Sequence, residues 1–168
     1  MSKAERAYRL AEGTLHAPLR AQPPALNTDM GFATIAQTLL RESFLQFTAN
    51  LNSCRSCEAP EVLHQARVGW RRFRSTLKLL RLGSADNGLP TLRPLKPLLD
   101  RMTRLRDLDV AATEVFALYA QDYQGDDRRR RQHWAKLEAL LIEAQEKQRQ
   151  ALRQCLAEPA VGLCLLQL

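Results

Sequence analysis

The stretch that decides the fold is EVLHQARVGWRRFRSTLKLLRL, residues 61–82. Its apolar residues recur every three or four positions, which is the period of an α-helix with one buried face. Its basic residues follow the same period one position later, so they form a second stripe about 100° round the helix. The apolar stripe is Leu63, Ala66, Trp70, Phe73, Leu77 and Leu80, and the basic stripe is His64, Arg67, Arg71, Arg74, Lys78 and Arg81.

The basic stripe combines close spacing with a lack of acidic neighbours. Residues three or four apart on a helix lie about 5–6 Å from one another, so like charges at this spacing repel. No Asp or Glu occurs between Arg67 and Arg81. A plain solvated face would lie opposite the core, whereas these charges flank it. The pattern favours a groove between helices that binds an anion, with a solubilising surface as the alternative.

The charge excess continues into the next predicted helix. Residues 61–110 carry eleven basic and five acidic side chains, whereas residues 1–60 and 111–168 are close to neutral. We therefore expect the anion-binding residues here: His64, Arg67, Arg71, Arg72, Arg74, Lys78, Arg81, Lys96, Arg104 and Arg106. Asp107 and Asp109 would repel an anion, so we assign them a supporting role, orienting arginines or capping a following helix. The run Arg128–Arg131 follows two acids and is interpreted as a solvated helix start.

Helical periodicity covers most of the chain, and no alternating strand pattern occurs. Helices are predicted over about 31–52, 61–82, 92–102, 110–120 and 128–157, before a short apolar ending at 160–168. The predicted core seam of the longest helix is Trp134, Leu137, Leu141, Ala144, Gln148, Ala151 and Cys155. The fold class is therefore all-α, an antiparallel helical bundle, preceded by a tail or linker over 1–28.

The composition excludes several classes of protein. Hydrophobic residues make up 45% and charged residues 26% of the 168, so general disorder is excluded. No apolar run approaches the roughly 20 residues of a membrane span, and we expect a cytoplasmic protein. Cys54 and Cys57 have metal-ligand spacing, but Cys155 and Cys164 do not complete a site. We expect four free thiols, no metal and no cofactor.

Two motifs in this order resemble the conserved histidine α-helical domain, CHAD. The first is His64-Gln-Ala-Arg67-Val with Arg71-Arg72-Phe-Arg74, and the second is Arg106-Asp107-Leu-Asp109-Val110. The resemblance covers about 31–168. It implies one four-helix-bundle half of a CHAD-like domain with extra helical segments, the N-terminal half of a longer domain. Residues 1–28 are similar to the exit of an upstream CYTH triphosphatase domain.

The resemblance implies binding of inorganic polyphosphate in the basic groove, with no catalytic residue in this domain. Closely spaced arginines suit such a ligand, because they offer bidentate donors to phosphate oxygens. A fused or partner triphosphatase, targeted or regulated by this module, and an association with polyphosphate granules are further expectations. An incomplete domain would expose apolar side chains, so we also expect a homodimer or poor solubility, through Leu163, Leu165, Leu166 and Leu168.

Two other functions stay open at this point. A basic helix could follow the backbone of a nucleic acid, but Trp70 lies on the apolar stripe and is not available to stack on bases. The histidines could bind a metal or accept a phosphoryl group, but His16, His64 and His133 fall in different predicted elements without carboxylates at ligand spacing.

Overall fold

The chain is all-α throughout the part that the computed structural model describes, residues 3–12, 17–83 and 91–168. This confirms the predicted fold class. The chain divides into two compact units, Met1–Leu89 and Pro90–Leu168, which are described in turn. The helices are α1 (Lys3–Ala11), α2 (Phe32–Ser53), α3 (Pro60–Gly83), α4 (Lys96–Val110), α5 (Ala117–Gln124), α6 (Arg128–Ala157) and α7 (Pro159–Leu166). A 3₁₀ turn, Arg93–Leu95, precedes α4, and a π-helical segment, Ala111–Phe116, joins α4 to α5.

In the first unit, α2 and α3 pack against each other as an antiparallel hairpin, and both end within one residue of their predicted limits. Phe44 and Phe47 of α2 interleave with Trp70 and Phe73 of α3, with ring centroids 5.1–6.5 Å apart. Gly69 permits this close approach, because a Cβ at that position would lie 2.6 Å from the backbone nitrogen of Phe47. The predicted apolar stripe of α3 is therefore the core of this unit, with Leu63, Ala66, Trp70, Phe73 and Leu77 all buried.

The segment before α2 contains more structure than the predicted tail or linker. Its first part is the nine-residue helix α1, which was not predicted. Further on, the side-chain amide of Asn50 holds the backbone of Leu19, accepting from its N–H and donating to its carbonyl, both at 2.9 Å. Arg20 also forms an ion pair with Glu61 at 3.6 Å. The backbone at Leu19 is therefore attached to α2, with Arg20 paired to α3.

In the second unit, α4, the π-helical segment and α5 form one continuous helical stretch. The backbone is helical through the junction, with φ −63° and ψ −45° at Val110 and φ −55° and ψ −44° at Ala111. The predicted start of a separate helix at Val110 is wrong, and so is the capping role of Asp107 or Asp109. The stretch from 98 to 124 contains neither Gly nor Pro, so nothing in it ends a helix.

Helix α6 runs antiparallel to this stretch and has the predicted limits. Its N-terminus is capped by Asp127, whose carboxylate accepts from the N–H groups of Arg129 and Arg130 at 2.7 and 3.4 Å. The ring of Trp134 contacts those of Phe116, at a centroid distance of 5.0 Å, and Tyr123, at 5.5 Å.

The buried face of α6 differs from the predicted seam. Trp134 and Cys155 are buried as predicted, but Gln145 and Leu152 are buried with them, and Leu137 is 45% exposed. The difference arises because the Gln145 side chain donates to the buried carboxylate of Asp109, at 2.9 Å. The predicted seam residues Leu141, Ala144, Gln148 and Ala151 are only half-buried.

Helix α7 packs one side against the rest of the second unit. Val161 and Cys164 are buried, and the Cys164 thiol lies 3.7 Å from the carbonyl oxygen of Thr91. Of the four residues predicted to form an apolar surface, Leu163 and Leu166 are exposed and Leu165 and Leu168 are half-buried.

Candidate anion-binding site

Five basic residues of α3 form what we call the α3 basic stripe: His64, Arg67, Arg71, Arg74 and Lys78. At 1.5 Å per residue they extend over about 20 Å of helix. Arg71, Arg74 and Lys78 are exposed, while His64 and Arg67 are half-buried at the edge of the core. The stripe therefore flanks the buried face, as predicted. Arg81 is also within α3, but its side chain lies outside the described residues.

The stripe has no acidic partner among the described residues. None of its five side chains forms an ion pair or a hydrogen bond there, although neighbouring charged residues of the same unit do. Glu61, the acidic residue in the first turn of α3, is engaged elsewhere, with Arg20 at 3.6 Å and with the Gln65 amide at 2.9 Å. The mutual repulsion within the stripe is thus not relieved by a described side chain.

The packing of α2 on α3 fixes the position of this stripe. Trp70 is 9% exposed and lies within the aromatic cluster, so the structure confirms that its ring belongs to the core. Because Trp70 and Phe73 alternate with stripe residues along the sequence, burying them turns Arg71 and Arg74 outward. The same buried face that stabilises the hairpin orients the cations.

Arg72 was predicted to join the binding residues, but it lies apart from the stripe. Its guanidinium donates to the side-chain oxygen of Gln46, at 2.8 Å, on the other flank of the α3 core face. Gln46 is 2% exposed and donates in turn to Gln65, which donates to Glu61, each at 2.9 Å. Arg72 therefore has a structural partner across the hairpin, which the regular spacing of the arginines gave no means of predicting.

The remaining predicted binding residues belong to the second unit. Lys96 and Arg104 are exposed on α4. Arg104 lines an open depression of about 490 Å³ between α4 and α6, whose other lining residues are Asp107, Leu108, Ala144, Lys147 and Gln148. Arg106 forms an ion pair with Glu114 of the π-helical segment at 3.8 Å, and its side chain is 21% exposed.

Asp109 is the centre of a charged cluster that the sequence did not predict. It is 2% exposed, accepts a hydrogen bond from Gln145 at 2.9 Å and pairs with Arg149 at 3.5 Å. Burial raises the pKa of the Asp109 carboxyl, against the lowering effects of the Gln145 hydrogen bond and of the charges on Arg149 and Arg106. Asp109 thus supports α4 against α6. Asp107, two residues earlier, is exposed.

A protein-family model for the CHAD domain matches residues 38–168, more than three quarters of the chain. The chain belongs to the CHAD family. Neither a curated protein nor a solved structure matches it. The α3 basic stripe and the Asp109 cluster both lie within the CHAD match, whereas α1 and Leu19 lie before it.

The cysteines and histidines of this CHAD protein are dispersed over both units. None of the four cysteines, all of which lie within the described residues, forms a disulfide, and burial raises the pKa of the Cys155 and Cys164 thiols. His64 lies on α3 and His133 on α6, while His16 lies outside the described residues. No group of three or more metal-ligating side chains occurs in residues 3–12, 17–83 and 91–168. Over the same ranges, no helix has the length and apolar character needed to cross a membrane.

Proposed function

We propose that this CHAD protein binds inorganic polyphosphate along the α3 basic stripe. The observation that carries the proposal is that five basic side chains flank a buried helix face with no acidic partner in the described structure. The family is known in general terms for binding polyphosphate. A linear polyanion laid along the stripe would replace repulsion between neighbouring cations with charge-assisted hydrogen bonds to phosphate oxygens.

The stripe suits binding rather than catalysis. It brings together four cationic side chains and one imidazole, and no carboxylate of the described structure pairs with them to activate the His64 ring as a base or nucleophile. We therefore propose that the domain performs no reaction of its own. The expectations of a fused or partner triphosphatase, a cytoplasmic location and an association with polyphosphate granules rest on the resemblance and stay predictions. So does a contribution of Arg72, Arg81, Lys96, Arg104 and Arg106 to the site.

The test is charge reversal within the stripe. The double variant Arg71→Glu/Arg74→Glu removes two cations and adds two anions at exposed positions, so we expect at least about a tenfold loss of affinity for long-chain polyphosphate. The slope of log K against log salt concentration should become shallower, because about two ion contacts are lost. Helicity should hardly change, because Arg and Glu have similar helix propensity.

The matched control is Arg129→Glu/Arg130→Glu at the start of α6. It changes the net charge by the same amount, but Arg130 already pairs with Asp127 and the run belongs to a capped helix start. We expect its affinity to stay within a few-fold of the unmodified protein. Equal losses in the two variants would show that net charge alone governs binding and would contradict a site on α3.

Competition with single-stranded DNA separates the two classes of polyanion. Polyphosphate has the denser charge and no bases, and the described stripe includes no exposed aromatic ring on which a base could stack. We expect DNA to compete less well at equal phosphate concentration. If DNA binds as tightly and depends on Arg71 and Arg74 equally, the site is a track for nucleic acid.

A further inference from the structure

The N-terminal half of α6 has an apolar face centred on two leucines that are exposed in the described structure, with the half-buried Ala144 at its end. Leu137 is 45% exposed and Leu140 is 61% exposed. At 100° per residue they share a face with His133 and Ala144, turned by about 100° from the buried side of Trp134, Gln145 and Leu152. We call His133, Leu137, Leu140 and Ala144 the α6 apolar face. Their spacing of three and four residues is that of a coiled-coil seam.

Two unpaired charges border one edge of this face. Lys136 precedes Leu137, and Glu143 precedes Ala144, so the two charges lie seven residues apart along the same edge. Both are exposed, and neither forms an ion pair or a hydrogen bond with a described residue. Seven residues is close to two helical turns, about 10 Å, which is too far for the two side chains to pair with each other.

We propose that the α6 apolar face binds a second copy of this chain, with the two α6 helices antiparallel about a twofold axis between residues 138 and 139. In this arrangement Leu137 of each chain packs beside Leu140 of the other, and His133 beside Ala144. The positions that precede the seam residues meet one another across an antiparallel pair. Lys136 of each chain then faces Glu143 of the other, which gives two equivalent ion pairs.

Charge complementarity is the reason for proposing a second copy of this chain and an antiparallel orientation of the two α6 helices. In a parallel pair Lys136 would face the Leu141 position of the other chain, so neither charge would gain a partner. The same register also limits the contact, because at the next layer Arg130 would face Lys147, a like charge. The apolar contact is therefore short, and we expect a dimer that dissociates on dilution rather than a permanent one.

The test is a charge-swap series on the full chain, followed by sedimentation velocity over a concentration range without polyphosphate. The unmodified protein should show a reversible monomer–dimer equilibrium. Lys136→Glu or Glu143→Lys places like charges opposite each other twice, and each should raise the dissociation constant at least fivefold. The double variant Lys136→Glu/Glu143→Lys restores both pairs in exchanged positions and should recover most of the affinity.

Two further variants complete the experiment. Leu140→Glu places a charge in the apolar face and should abolish the dimer. Glu146→Lys makes the same charge change as Glu143→Lys on the other side of α6, and it should leave the dimer unchanged. All these positions apart from Glu146 are exposed and Glu146 is half-buried, so circular dichroism should show an intact fold.

A monomer at all concentrations overturns the proposal. A dimer insensitive to the single swaps, or one that the double swap does not restore, also overturns it and points to another surface, such as Leu163 and Leu166 of α7. Because no polyphosphate is present, none of these results depends on the proposed ligand.

Discussion

The α3 basic stripe and the Asp109 cluster both contain arginines, but they differ in what surrounds the charge. The stripe cations have no acidic partner in the described structure. In the cluster, Arg149 pairs with the buried carboxylate of Asp109, and Arg106 pairs with Glu114. The difference teaches that the density of arginine in the sequence does not by itself identify a binding surface. The placement of the acids decides whether the cations are committed to the fold or remain available to a ligand.

This comparison leads to opposite expectations for substitution in the two regions. Changes in the stripe should weaken ligand binding while leaving stability nearly unchanged, because surface substitutions usually alter the free energy of unfolding by less than about 0.5 kcal/mol. Changes in the cluster should lower stability first.

The largest effect on stability is expected for Asp109→Ala. The substitution leaves the buried Gln145 amide and the Arg149 guanidinium without their acceptor, so the free energy of unfolding should fall by about 2–3 kcal/mol. Urea denaturation followed by circular dichroism measures it. The matched control is Asp107→Ala on the exposed side of the same helix, which should change the free energy by less than about 0.5 kcal/mol. Similar losses in both variants would show that Asp109 has no special role between α4 and α6.

A smaller loss is expected for Gly69→Ala, which acts on the hairpin that carries the stripe. In an unobstructed helix this change stabilises by about 0.5–1 kcal/mol. At position 69 the new Cβ would lie 2.6 Å from backbone of α2, so α2 and α3 must separate, and we expect a net destabilisation of about 1–3 kcal/mol. The control is Gly162→Ala in α7, where a Cβ meets nothing within 4 Å and the helix should be stabilised. If both alanines stabilise the protein, α2 and α3 are not in close contact at Gly69.

The smallest effect is a difference in the pH dependence of stability between the unmodified protein and the variant Asp109→Asn. Because burial raises the pKa of Asp109, the folded chain binds its proton more tightly than the unfolded chain does. The stabilisation from this protonation is present below the ordinary Asp value of about 3.9 and is lost as the pH rises through the raised pKa. Asp109→Asn still accepts from Gln145 and does not titrate, so its stability relative to the unmodified protein should improve from pH 4 to pH 7. Parallel stability curves for the two proteins would contradict a raised pKa.

The sequence predicted those parts of the molecule that follow from local periodicity. The limits of α2, α3 and α6 and the burial of Trp70 and Phe73 come from apolar residues repeating every three or four positions. The predicted start of α6 directly after two acids follows the same local logic, and in the structure the second acid, Asp127, caps the helix. The stripe could be placed on α3 for the same reason.

The parts that could not be predicted depend on contacts between distant residues. Asp109 was expected to orient arginines or to cap a helix, and the sequence could not show that Gln145, 36 residues later, donates to it. Gln145 is buried with this contact, while Leu137, which was predicted to lie in the core, is exposed. Arg72 is one residue out of step with the stripe, but the sequence could not show that its partner is Gln46 of α2.

The hydrogen bonds along the α2–α3 interface have a direction. Arg72 can only donate and Glu61 in its ionised form can only accept, so the two glutamines between them must each accept on one side and donate on the other. If α3 slid along α2 by one turn, the buried Gln46 amide would face residues that cannot complete this series of hydrogen bonds. The apolar side chains would tolerate such sliding far better, because one aliphatic contact replaces another at little cost. These hydrogen bonds therefore select a single register for the hairpin. The register in turn fixes the position of each cation of α3 along α2.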